Sequence, residues 1–326
     1  MINYIQRNTF LTTVFTGLII LIALWLPDFL APATSHPHLV TQPLQGWLLS
    51  AKWMSGASGL WVNLGLTVLT AALLFLSNLK HLFINVNDRL MLLLYLFLVS
   101  ALPKSHYYPE AQIAAIAVII GLYCLFQSYQ KKAALAQLFL AAMWVSIAGL
   151  CYFPAIAVLL TVVINILITR EFDWRDWTAF IVGFLCPYFY FGLYLFFSED
   201  TILPLWQGLQ QNFYPLSLPV IAHNLYEYIF VTTLAVIIIW IFLNQEYKGA
   251  LNKIKIVHLR QTNNWLLVCV LISAVIFRPP YGSMMPLLAI PLSIIMANAD
   301  NQLWRKKVYI FFLLLLITAI IGSQTV

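Results

Sequence analysis

Residues 131–175 read KKAALAQLFLAAMWVSIAGLCYFPAIAVLLTVVINILITREFDWR, and their reading decides the fold. Lys131-Lys132 on one side and Arg170 on the other bracket residues 133–169, 37 positions without a charge. One helical crossing of the hydrocarbon core uses about 20 residues, so this stretch is too long for one crossing and suits two. Loops rich in Lys and Arg stay in the cytoplasm, so a segment basic at both ends goes out and comes back. Tyr152-Phe153-Pro154 is the expected turn of this hairpin, on the outer side.

The same pattern extends in both directions. The chain has 326 residues, of which 62% are hydrophobic and 9% charged, against roughly 25% charged in soluble domains. Apolar spans are expected at 9–29, 58–77, 89–102, 111–127, 134–150, 153–169, 177–197, 220–243, 264–278, 283–298 and 308–323. The third, ninth and tenth are short for a crossing and are expected to be shielded, broken or re-entrant. Of the 17 Lys and Arg residues, all but Lys52, Lys104 and Arg278 fall on alternate segments. That bias puts the N-terminus in the cytoplasm and the C-terminus in the periplasm. The expected fold is all-α: a polytopic transmembrane bundle of about 11 spans (9–12), built as a single integral membrane domain over residues 1–326.

The net charge of +6 comes from helix ends rather than from a compact basic stripe, which excludes a nucleic-acid role and follows from insertion alone. Residues 10–27 precede Ala31-Pro32-Ala33, an imitation of a cleavage site, but the apolar run is long and is expected to be a retained first helix. Cys124, Cys151, Cys186 and Cys269 lack metal or redox spacing and are expected to pack. No internal repeat and no glycine-rich phosphate loop is present. Two outer segments, 31–57 and 198–219, carry Trp, Leu and Tyr at roughly helical spacing and are expected to lie in the interface, where they could roof a cavity.

The polar residues expected outside are few. Asp28 ends the first span, and Lys104, His106, Tyr107, Tyr108 and Glu110 follow the third. Carboxylates at a low-dielectric boundary suit general-base work, which makes Asp28 and Glu110 the catalytic candidates. The bland alternative is that each marks a helix end; Glu110 at a helix start suits the dipole. Arg278 and Lys104 are candidate phosphate ligands, with snorkelling to headgroups as the competing account for Arg278. His223 and Glu227, spaced i,i+4 within the eighth span, form a candidate substrate pair or, equally, an interhelical hydrogen bond. His36-Pro37-His38 is too sparse to define a metal site. No cofactor is expected beyond a possible divalent cation at the outer carboxylates. Asn165 is expected to bind between helices. Inside, the cluster around Arg170, Asp173 and Arg175 reads as a capping turn or as a docking surface for a protein partner.

Three stretches carry a resemblance: Gly149-Leu150-Cys151-Tyr152-Phe153-Pro154, Leu167-Ile168-Thr169-Arg170-Glu171-Phe172, and Trp174-Arg175-Asp176-Trp177 with Gly183-Phe184-Leu185-Cys186-Pro187-Tyr188-Phe189. They are similar to an uncharacterised family of polytopic inner-membrane proteins of Bacteroidota, whose members tend to have Pro where this chain has Glu171. The resemblance implies the inner membrane of a Gram-negative cell and no activity. The layout also resembles membrane glycosyltransferases that use polyprenyl-phosphate-linked sugars, which place an acidic residue just outside the first span and often another in the second outer loop. Asp28 and Glu110 sit accordingly, although the paired acidic motif after the first span is missing.

Membrane lipids and a polyprenyl-phosphate-linked substrate are therefore the expected ligands, with a glycosyltransferase-like role at the periplasmic face. The alternatives are a non-enzymatic scaffold or assembly factor that docks an envelope protein, and a proton-coupled transporter using Glu227 and His223.

Overall fold

The computed structural model describes residues 10–30, 56–81, 88–129, 134–169, 173–199, 254–277, 279–280 and 282–297, with helical positions at 44, 46, 206–207, 210, 232–236 and 239. Nine principal α-helices stand among the described residues: α1 (Phe10–Leu30), α2 (Gly56–His81), α3 (Asp88–Ser100), α4 (Pro109–Gln127), α5 (Leu135–Cys151), α6 (Val158–Thr169), α7 (Trp174–Glu199), α8 (Ile254–Phe277) and α9 (Met285–Ala297). Short 3-10 helices at Pro103–Tyr107 and Phe153–Ala157 complete the set, and no strand occurs among the described residues. Most of the eighth expected span and the whole of the eleventh lie outside the described residues, as do nearly all of the two expected interfacial segments.

Five helices have the length and hydropathy of a membrane crossing: Thr13–Leu30, Ser58–Asn78, Pro109–Gln127, Trp174–Ser198 and Val257–Phe277. The opening hairpin forms as two shorter helices, α5 ending at Cys151 and α6 following the 3-10 turn that Pro154 helps to start. The ninth expected span differs from its sequence reading. The helix begins at Ile254 rather than near 264, because Lys255, His258 and Arg260 lower the hydropathy without interrupting helical geometry.

Besides α6, which has 12 residues and continues directly from the 3-10 turn before it, α3 and α9 are the short ones, at 13 residues each. Each is about 20 Å long, less than the ~30 Å core. They pack on one another; α1 and α2 also lie against α3, and α4 and α8 against α9. Every residue of α9 is buried. The two short helices thus form the centre of the bundle and are shielded from lipid by longer neighbours. Conversely, α7 keeps Phe189, Tyr190, Phe196 and Phe197 largely exposed.

Close helix contacts run through small residues, as bilayer packing favours. A Cβ at Gly121 would stand 3.0 Å from Val145 Cγ2 of α5, and one at Gly183 would run into the carbonyl oxygen of Phe139. Ser146 Oγ donates to the Phe184 carbonyl (2.7 Å). Asn165 Nδ2 donates to Thr262 Oγ1 (2.5 Å), joining α6 to α8. Asn263 Nδ2 donates to the carbonyl of Pro291 (3.2 Å), joining α8 to α9.

Candidate functional site

Asp28 occupies the last turn of α1, the negative end of the helix dipole, where a carboxylate is disfavoured unless something positive or protic meets it. His106 meets it. The residue lies on the Pro103–Tyr107 3-10 helix, and its Nδ1 stands 2.5 Å from Asp28 Oδ2. The ring's other nitrogen, Nε2, is 3.2 Å from the Ser100 carbonyl at the end of α3. Each ring nitrogen therefore faces an oxygen. The Trp25 indole stacks over the imidazole, with centroids 3.8 Å apart and planes 18° from parallel, and donates from Nε1 to Ser100 Oγ (2.9 Å). Stacking and both hydrogen bonds fix the ring in place.

The backbone beneath is equally constrained. Ser105 Oγ donates towards the Val99 and Leu102 carbonyls (2.5 and 2.7 Å), satisfying acceptors that the end of α3 leaves open. Asn63 Nδ2, from α2, donates to the His106 carbonyl (2.7 Å) and reaches that of Ser105 (3.3 Å). Asn63 is seven residues along α2 from Gly56, so this contact lies about 10 Å below that helix end. His106 has a side chain 0% exposed, against 11% for Asp28. The carboxylate is thus the more accessible member of the pair.

A second polar group adjoins the first. Tyr152, at the hairpin turn, lies with its hydroxyl 2.7 Å from Ser283 Oγ. Ser283 gives its own proton to the Pro280 carbonyl (2.7 Å), so Tyr152 is the donor. Burial, and then the nearby Glu110 carboxyl, push the Tyr108 phenol up to about 12. Tyr152 is raised well above the ordinary phenol range, chiefly by burial, with Glu110 and Tyr108 adding to it against the Ser283 hydrogen bond. Gly282 completes the assembly. It has a positive φ of 88°, and a Cβ there would stand 3.1 Å from Ser105 N and 3.2 Å from Lys104 Cβ. The connection between α8 and α9 therefore packs directly on the 3-10 helix that carries Lys104 and His106.

One end of the bundle thus gathers the end of α1, the connection from α3 to α4, the hairpin turn and the connection from α8 to α9. These are four segments that the distribution of basic residues places on a common side. Asp28, Lys104 and Glu110 all belong to this end. Arg278, His223, Glu227 and Arg170 lie outside the described residues, as do His36 and His38. Asp173 and Arg175 lie elsewhere. α7 runs parallel to α5, with Gly183 at Phe139 and Tyr188 at Gly149, so the start of α7 is at the opposite end from Tyr152. There Asp173 Oδ1 accepts from the Arg175 backbone N–H (3.0 Å), and the exposed Arg175 guanidinium sits 5.7 Å from the Trp174 ring centre.

Among the described residues the donor set does not fit the divalent cation considered for Asp28 and Glu110. Asp28 commits Oδ2 to His106, and no group of three or more His, Cys, Asp or Glu occurs among the described residues. The main residue that sequence reading left without a role is His106. Its only signal was position, in the same outer set as Asp28, because a pairing across 78 residues leaves no local pattern.

A family of unknown function (DUF6427) matches residues 50–322, and the chain belongs to it. Its match includes His106, Glu110, Tyr152 and Ser283 and begins after α1, which bears Asp28. No curated protein and no solved structure matches the chain.

Proposed function

We propose that this family member is a multi-pass protein of a bacterial inner membrane, with about eleven spans, a cytoplasmic N-terminus and a periplasmic working end. Its role there is glycosyltransferase-like, on a lipid-linked substrate. The observation that carries this reading is the Asp28–His106 pair, a slightly exposed carboxylate held by a fully buried imidazole. A base oriented by a third group is the arrangement that proton abstraction from a hydroxyl requires.

In this mechanism Asp28 accepts the proton of an acceptor hydroxyl while the acceptor oxygen bonds to the anomeric carbon of the sugar. The bond from that carbon to the phosphate oxygen breaks, and the polyprenyl phosphate leaves with the electron pair. His106 is a positioning residue that keeps Asp28 aimed. Glu110, whose charge is felt by the Tyr108 and Tyr152 phenols, orients the acceptor, while Lys104 and Arg278 hold the phosphate. The fit of Lys104 rests on its place beside Gly282, on the same 3-10 helix as His106.

The test is sugar transfer from polyprenyl-phosphate donors by the purified protein in nanodiscs. Asp28→Asn should lower turnover about 10²–10⁴-fold, the usual worth of a general base, with the thermal unfolding profile retained. Undiminished turnover contradicts the assignment.

The exposed Trp174–Arg175 pair at the opposite end favours a second reading, a scaffold that docks a partner on the cytoplasmic side. It requires that Asp28→Ala and Glu110→Ala be silent and that Arg175→Glu abolish partner pull-down.

A further inference from the structure

Beneath the Asp28–His106 pair, the bundle interior contains a polar seam of which the site uses only Asn63. Asn63, Thr67 and Thr70 follow one another on a single face of α2, at i, i+4 and i+7, and all three are 0% exposed. Tyr95 of α3 and Gln112 of α4, also 0% exposed, close the seam. The threonine hydroxyls spend their protons on their own helix. Thr67 donates to the Asn63 carbonyl (2.8 Å), and Thr70 to those of Leu66 and Thr67 (2.9 and 2.8 Å). Their oxygens therefore turn lone pairs towards the seam.

Gln112 is the anomaly. Its amide is wholly buried, yet its closest polar contacts among the described residues are Thr70 Oγ1 and Tyr95 OH, both 3.5 Å from Oε1. Its Nε2 has no hydrogen-bond partner among the described residues, and neither has Asn63 Oδ1 higher in the seam. A buried amide N–H left without a partner costs more than a made hydrogen bond returns. The two orphans are of opposite kind, one donor and one acceptor. A cation satisfies only the oxygen and an anion only the N–H. Water satisfies both, and it also donates to the threonine oxygens.

We propose that bound water occupies this seam, anchored on Gln112, Thr70 and Tyr95 at its inner end and on Asn63 Oδ1 beneath the His106 turn. The water belongs to the folded protein and is separated from bulk solvent, as buried waters with two to four polar partners are. Its position makes the polar interior continuous with the turn that holds His106, since Asn63 bonds that turn with its other amide atom.

X-ray hydroxyl-radical footprinting of the full chain in nanodiscs tests this, because radiolysis generates radicals from waters already inside the protein. Tyr95 should be hydroxylated despite its zero exposure, while Phe97, equally buried on the same helix, stays inert. Radicals generated only in bulk solvent should leave both untouched. Gln112→Leu and Gln112→Met should each reduce Tyr95 labelling several-fold. Labelling of Tyr95 no greater than that of Phe97 in the native protein overturns the proposal. So does labelling by bulk radicals, which means an open cleft, or unchanged labelling in either folded variant.

Discussion

Asp28 and His106 are separated by 78 residues and hold one another at one end of the bundle. Both are buried, so removing one leaves the other wrongly solvated. Breaking such a pair from one side costs about 3–5 kcal/mol when fully buried, and the partial exposure of Asp28 puts the expected cost towards the lower end. Asp28→Ala and His106→Ala should each lower the unfolding midpoint in nanodiscs, and the double variant should fall by less than their sum. A coupling of about 0.5–3 kcal/mol is expected for residues in direct contact; strict additivity would mean that the pair does not interact. At this scale the sequence was partly legible. Boundary carboxylates stand out in an apolar chain, which makes Asp28 and Glu110 candidates on sequence alone. Asn63, Gln112 and Tyr95 escaped notice because an uncharged polar residue in a span reads as routine helix contact until its partners are known.

The helices themselves were the most legible feature, because a bilayer imposes both the length and the apolarity that hydropathy detects. The hairpin turn at Tyr152 and the shortness of α3 and α9 followed from that rule. Their central, shielded position did not, since burial by neighbouring helices and burial by lipid produce the same apolar sequence. The early start of α8 escaped for the converse reason: its basic first turns are helical but not apolar. Between elements, the tightest constraint at the site is Gly282, whose φ of 88° favours glycine and whose missing side chain admits Ser105 and Lys104. Gly282→Ala should cost about 1–2 kcal/mol from backbone strain alone, with crowding of the 3-10 helix added. A lowered unfolding midpoint checks this, and an unchanged midpoint would mean that the connection does not pack there.

At the scale of the molecule, the distribution of basic residues and the packing of the helices group the connections in the same way. Four segments expected on one side meet at one end, and Asp173 and Arg175, expected on the other, lie at the opposite end. Cysteine mapping in a background without Cys124, Cys151, Cys186 and Cys269 tests which end faces out. Ser35→Cys should react with an impermeant maleimide in intact spheroplasts, and Asp173→Cys only after permeabilisation; the reverse pattern would invert the topology. The central claim is that the end bearing Asp28 and His106 processes a lipid-linked sugar. Native mass spectrometry of wild type and Asp28→Asn, each extracted gently from its own membrane, tests it most directly. The account predicts a polyprenyl-phosphate species on both, with the sugar still attached in Asp28→Asn and a sugar-free carrier present only in the wild type. The same bulk phospholipid on both proteins, with no polyprenyl species, would contradict it.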